Sequence, residues 1–260
     1  MLLPSLAALI LLACVHLFAH RLRFMDGVPR SRWLSAAGGI SLAYVFLHLL
    51  PELAEGQELL GEAGLGLRAV EFEIYGLALA GLVGFYGLER MAQLHERVGR
   101  DEGPGGARVE SHPGFWLHLG MFALYNVITG YLLLHRGGHR EHEAEAAGPA
   151  LAMEPGMAGL LTFALAMALH FCVTDYGLRE DYREGWLRTG RWTLVAAVVA
   201  GWVLGLVVQL PELAVLGAIA LLGGGVILNV LKEELPEERQ SRFGALVLGV
   251  VAYAALLALT

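Results

Sequence analysis

The sequence predicts an all-α integral membrane protein of eight transmembrane helices, and three observations carry that prediction. Hydrophobic residues make up 56% of the 260 positions, with a mean hydropathy of +0.57. The charged residues, 17% of the chain, bunch between long apolar runs, whereas a soluble domain needs them spread over its surface. The basic residues fall almost wholly on one side once the runs alternate in direction.

The runs cover 2–20, 33–51, 72–94, 114–135, 157–178, 192–210, 212–232 and 243–260, each near the ~20 residues that cross a bilayer core. Pro211, in Gln209-Leu210-Pro211-Glu212, separates the sixth run from the seventh. No basic residue precedes the first run, and Arg21, Arg23, Arg30 and Arg32 follow it. A signal peptide has the opposite polarity, so this run is expected to stay as helix 1. With alternating spans, one side receives all 18 basic residues except Arg68, Arg136 and Arg140. That side is the cytoplasmic one. The expectation is therefore a single membrane domain over 1–260, multi-pass in the cell (inner) membrane, with both termini extracytoplasmic.

Composition also bounds the partners. The net charge of −7 is dispersed over separate loops and forms no basic patch, so the lipid bilayer is expected as a partner and nucleic acid is not. Cys14 and Cys172 both sit inside apolar runs, which leaves no disulfide framework and no Cys-rich zinc motif. No organic cofactor is expected.

A repeat runs through the sequence. Gly38-Gly39 precedes Pro51-Glu52 by 13 residues in GGISLAYVFLHLLPEL, and Gly223-Gly224 precedes Pro236-Glu237 by the same 13 in GGGVILNVLKEELPEE. The first copy runs outward in helix 2 and the second inward in helix 7, as in an inverted-topology repeat. Helices 1–3 would then mirror helices 6–8 around a central pair, helices 4 and 5. Chance recurrence of Gly-rich helix starts and Pro-Glu helix ends is the competing explanation.

The segment 51–73 is acidic and external, 99–114 is rich in Gly and Pro, and 135–150 carries His135, His139 and His142 among carboxylates. The last of these is either a weak collector of divalent cations or a solvated polar loop. Gly76, Ala80 and Gly84 in helix 3, and Gly201 and Gly205 in helix 6, form stripes where backbones approach closely; they permit a homodimer.

Polar side chains at bilayer depth each cost at least about 2.5 kcal/mol on insertion scales and so need a reason. In helix 4, His118, Phe122, Tyr125, Asn126 and Thr129 lie on one helical face. In helix 5, His170 and Thr174 share a face, with Asp175 about 140° further round. At 1.5 Å per residue, Asn126 and His170 come to similar depth, and His118 to that of Asp175. A site shared by Asn126 and His170, with His118 pairing to Asp175 below it, is the expected arrangement. Interhelical bonding or interfacial placement is the structural alternative for each. His16 and His20 are read as interfacial; for His48, near the external surface, an interfacial and a functional placement both stay open.

These segments resemble the zinc/iron permease (ZIP) family. GGISLAYVFLHLLPEL is similar to that family's second helix with its His-Leu-Leu-Pro-Glu ending, and GGGVILNVLKEELPEE to its seventh. The resemblance spans most of the chain and implies eight helices with an inverted three-helix repeat. The family's fourth helix carries a His-Asn-Phe-Pro-Glu-Gly type motif, of which Asn126 and Gly130 remain in Tyr125-Asn126-Val127-Ile128-Thr129-Gly130. Its fifth carries a His-Glu-Ile-Pro-His-Glu type motif, of which His170 and a carboxylate, Asp175, remain in His170-Phe171-Cys172-Val173-Thr174-Asp175. Ile128 and Val173 stand where the kink prolines would be, so straighter helices are expected.

The resemblance implies a divalent metal ion, zinc foremost, as transported substrate, moved by alternating access through one site between helices 4 and 5. Its groups would be Asn126, His170 and Asp175, with Thr129, Thr174 and His118 beside them. The rival readings are a ZIP-derived sensor or scaffold without transport, an intramembrane zinc hydrolase, and a b-type cytochrome with His118 and His170 as axial ligands.

Overall fold

A computed structural model describes residues 2–21, 32–62, 73–101, 113–135, 155–234 and 242–259. These residues form eight helices and no strand. They are α1 (Leu2–Phe18), α2 (32–62), α3 (Glu73–Asp101), α4 (Pro113–His135), α5 (Pro155–Asp181), α6 (Arg183–Val207), α7 (Glu212–Glu234) and α8 (Phe243–Leu259). Five of these, α2 and α4 to α7, contain stretches long and apolar enough to cross a membrane, and α1 and α8 are shorter apolar helices. Large apolar side chains also cover the outside, with Leu79, Val83, Leu248 and Val251 all more than half exposed. Contiguous apolar surface of this kind is rare on a soluble monomer. The architecture is all-α and compatible with a multi-pass membrane protein.

Three helices differ clearly from their expected bounds; the third, expected over 72–94, runs on to Asp101. The second run was expected to stop at Pro51, yet α2 continues to Glu62. A π turn at Val45–Leu49 precedes the proline, and there the Leu50 N–H reaches back five residues to the Val45 carbonyl. The widened turn makes room for a residue that lacks an N–H and whose ring crowds the carbonyl four residues back. The sixth run starts earlier than expected, at Arg183, and a second π turn, Trp186–Gly190, lies near its start. Tyr182, at φ −134° and ψ 52°, is the one non-helical residue between α5 and α6. The break before α7 falls at residues 208–211, as Pro211 suggests. Both α4 and α5 are continuous α-helices through Ile128 and Val173.

Glycine sets the frame. A methyl group at Gly39 would strike the Leu246 carbonyl, and one at Gly249 the Ala36 carbonyl, which locks α2 to α8. Gly81 and Gly224 meet the carbonyls of Leu221 and Ala78 in the same reciprocal way between α3 and α7. Gly130 and Gly201 do so with Val198 and Val127 between α4 and α6. In each pair the contacted carbonyl lies three residues before the partner glycine, the register of two helices crossing in parallel. Direct backbone approach replaces the hydrophobic drive that lipid cannot supply. Helix α1 packs on α5 and α6, and α5 also packs on α2. One apolar core draws residues from all eight helices, among them Leu12, Tyr44, Phe85, Tyr125, Phe163 and Val226.

The close pairs yield a stability test. Gly39→Leu and Gly224→Leu each place a side chain into backbone, and overpacking of this kind costs about 1–3 kcal/mol or more. Gly76→Leu and Gly84→Leu, where a Cβ meets nothing within 4 Å, should leave the thermal unfolding midpoint in detergent unchanged.

Candidate functional site

The interior holds two polar clusters. The first joins α1, α4 and α5. His16 Nδ1 lies 2.9 Å from Asp175 Oδ2, and His16 Nε2 lies 2.8 Å from Asn126 Oδ1. None of the three is more than 1% exposed. The Asn126 amide is oriented by its own N–H, which donates to the Phe122 carbonyl at 2.9 Å. Its oxygen therefore accepts, and His16 Nε2–H donates. The contact between His16 Nδ1 and Asp175 Oδ2 pairs a basic with an acidic group. Pairing and hydrogen bonding offset the cost of placing ionisable groups in apolar surroundings. The Phe171 ring packs 4.8 Å from the His16 ring and closes one side.

The second cluster joins α3, the first turns of α4, the last turn of α7 and Tyr182 at the α5–α6 junction. Glu89 accepts from Lys232 Nζ at 2.5 Å through Oε1 and from His118 Nε2 at 2.8 Å through Oε2. His118 Nδ1 is hydrogen-bonded to the Tyr182 hydroxyl at 3.0 Å. Glu89 and Lys232 balance each other's charge, and both His118 nitrogens are engaged. A cavity of about 10 Å³, room for one water, is lined by His118 and Lys232 from this cluster. Phe122 and Thr174, neighbours of the first cluster in sequence and in bonding, line it too, together with Asn229. Asn229 is buried, and its Nδ2 has no hydrogen-bond partner among the described residues.

Some of the expected site residues meet and others do not. Asn126 and Asp175 come together, but through His16 and not through His170. His170 is 1% exposed, neither ring nitrogen has a hydrogen-bond partner among the described residues, and its ring rests 5.5 Å from that of Tyr125. The expected pairing of His118 with Asp175 is replaced by bonds to Glu89 and Tyr182, because Asp175 faces α1 while His118 faces α3. Thr129 and Thr174 spend their hydroxyl protons on the carbonyls of Tyr125 and Phe171 in their own helices. Among the described residues, no group of three or more His, Cys, Asp and Glu converges in a way that could hold a metal ion.

His16, expected at the interface, is buried; His48, for which both placements were open, is buried too and stacks on Tyr44 at 5.3 Å. The signal for His16 is the stripe Ser5, Leu9, Leu12 and His16, one helical face that is buried throughout. Glu89, which follows a long apolar stretch and precedes Arg90 within the third run, is the matching signal in α3. His139 and His142 lie outside the described residues. Searches against protein-family models, curated proteins and solved structures find no match to this chain.

The His16–Asp175 pair gives a double-mutant cycle. Asp175→Leu leaves a buried imidazole without its carboxylate and should cost about 3–5 kcal/mol in detergent unfolding. The His16→Leu, Asp175→Leu double variant should cost clearly less than the two single losses combined. A surface pair would show under about 1 kcal/mol of coupling.

Proposed function

We propose that this chain is a multi-pass carrier of a divalent metal ion, ZIP-like in plan, working by alternating access with both termini outside the cytoplasm. The observation that carries the reading is the His16–Asn126–Asp175 cluster. It is an ionisable pair and an amide donated by three helices into a bundle interior where such groups are costly and mark ion pathways. Nitrogen and oxygen donors of this kind suit zinc, with iron or manganese next.

In this reading His16 joins Asn126 and Asp175 as the substrate's ligands. Bound to Asp175, His16 holds the place that an incoming cation takes. His170, five residues before Asp175 on α5 and free of hydrogen bonds among the described residues, is the additional ligand that a shift of α4 against α5 would recruit. The Glu89–Lys232–His118–Tyr182 cluster ties α3, α4 and α7 to the junction between α5 and α6 at one end of the path.

The inverted repeat finds support in the packing. Exchanging helices 1 with 6, 2 with 7, 3 with 8 and 4 with 5 turns the α2/α8 pair into α7/α3, and the α4/α6 pair into α5/α1; all four pairs are in contact. Gly39 and Gly224, equivalent positions of the repeated segment, make equivalent backbone contacts. Alternating access by rocking one half against the other follows from such a plan.

One observation favours the rival reading, a ZIP-derived protein without transport. The first cluster has only one carboxylate and one imidazole, both bonded to each other. Uptake of labelled zinc into proteoliposomes separates the two. Wild type should import zinc, and His16→Ala or Asp175→Ala should slow import at least about tenfold, as the loss of metal-site groups does. Wild-type uptake no faster than that of Asp175→Ala overturns the carrier and leaves the scaffold.

A further inference from the structure

The small polar cavity adjoins the His16–Asn126–Asp175 cluster and leads away from it. Thr174, next to Asp175 in sequence, and Phe122, whose carbonyl accepts from Asn126, form the end nearest that cluster. Gly177 and Asp181 continue the wall along α5, and Asn229 and Lys232 continue it along α7. Each set recurs every three or four residues, so each helix lends one face to the same space. In the orientation proposed above, the cavity leads toward the cytoplasm.

The walls are those of a hydrated passage. Asn229 is only 6% exposed, and its Nδ2 borders the cavity without a hydrogen-bond partner among the described residues. A buried donor of this kind calls for an oxygen, from a water or from the hydration shell of a passing cation.

One charge governs whether a cation can use this passage. Lys232 lines the cavity, and its ammonium rides on a flexible four-carbon stem. The ammonium is turned aside: Nζ lies 2.5 Å from Oε1 of Glu89, on α3, a helix that lends the wall none of its described residues. The other carboxylate oxygen, Oε2, lies 2.8 Å from His118 Nε2, which holds the group facing Lys232. The carboxylate on the cavity wall itself is that of Asp181. Were Glu89 uncharged, the Lys232 ammonium would be drawn toward Asp181 and so into the cavity. A positive charge there repels a dication in surroundings that screen it poorly.

We propose that Glu89 is a positioning residue for transport: it holds the Lys232 ammonium against α3, out of the cavity by which the cation leaves the His16–Asn126–Asp175 site. This role rests on the carrier reading above. Glu89 is then needed only because Lys232 is present, and Lys232 itself is dispensable for import.

Labelled-zinc uptake into proteoliposomes tests the role, with each full-length variant first shown to elute as a single species in detergent. Glu89→Gln should slow import at least about tenfold, an added barrier of roughly 1.4 kcal/mol. Lys232→Gln should import within about twofold of wild type, and so should the Glu89→Gln, Lys232→Gln double variant. Glu89→Gln with Lys232→Arg, which keeps the positive charge, should stay slow. A merely structural ion pair behaves otherwise, since losing either partner strands the other charge and both single variants suffer alike. Equal slowing of the two single variants therefore overturns the proposal, as does a double variant as slow as Glu89→Gln or a Glu89→Gln that imports normally. Should Glu89→Gln fail to fold, the double variant decides: import near the wild-type rate upholds the role, and slow import overturns it. A wild type that imports no zinc removes the carrier and this role together, whereas an active wild type with the wrong order of variants removes the role alone.

Discussion

Backbone contact at glycine is the constraint on which this bundle rests. Between helices in lipid, burying apolar side chains gains nothing that lipid tails do not already provide, so association depends on how closely atoms can pack. Six glycines, two in each of three helix pairs, remove the Cβ that would hold the backbones apart. The pairs α2/α8, α3/α7 and α4/α6 then behave as rigid struts. Helices α1 and α5, which lack such partners, fill the space the struts leave, and they bring His16 and Asp175 into the interior. The position of the polar site is thus a consequence of which helices are clamped and which are not.

Both polar clusters obey one electrostatic rule. Desolvating an unpaired charge is prohibitive, so each buried ionisable group has a partner that neutralises it. Asp175 is hydrogen-bonded to His16, and the Asn126 amide, itself fixed by Phe122, completes the imidazole's bonding. Glu89 is held between Lys232 and His118. His170 is the exception. A buried imidazole with neither nitrogen bonded forgoes hydrogen bonds it would have in water. Such a cost is tolerated where a group has work in another state, and this is why His170 keeps its place in the proposed mechanism.

The sequence exposes some of this more clearly than the rest. Apolar runs near 20 residues long, and the lopsided Lys and Arg distribution, are properties of composition, so the helices and their order could be read directly. Asn126 and Asp175 were legible as costly polar groups at depth. Their connection through His16 was not, because spacing on one helix says nothing about which neighbour it faces. His16 lies near the end of α1, where an interfacial reading is natural, and only packing against α5 decides the matter. The continuation of α2 past Pro51 was hidden for a similar reason: a proline ends a regular helix, and the π turn that accommodates it leaves no simple mark in composition. Gly39 and Gly224 were visible as a repeat, but Gly81, Gly130 and Gly249 gained meaning only once their partners were known.

Frame and site differ in symmetry, and that difference bears on how such a bundle could move an ion. The exchange that maps α2/α8 onto α7/α3 also maps α1 onto α6. Yet α1 brings His16 to the site, whereas α6 meets α1 through a neutral bond from Trp202 Nε1 to Ser5 Oγ at 3.2 Å. The polar groups therefore gather on one side of the proposed pseudo-two-fold axis, against α5. A carrier built from two like halves has two nearly equal arrangements, and a site placed on the axis would change little between them. A site placed off it changes its neighbours whenever one half rocks against the other, because α1 and α5 then move differently with respect to α4. On that argument the asymmetric placement of His16 and Asp175, on a frame of paired and interchangeable struts, is what would let the same three side chains hold a cation in one arrangement and release it in the other.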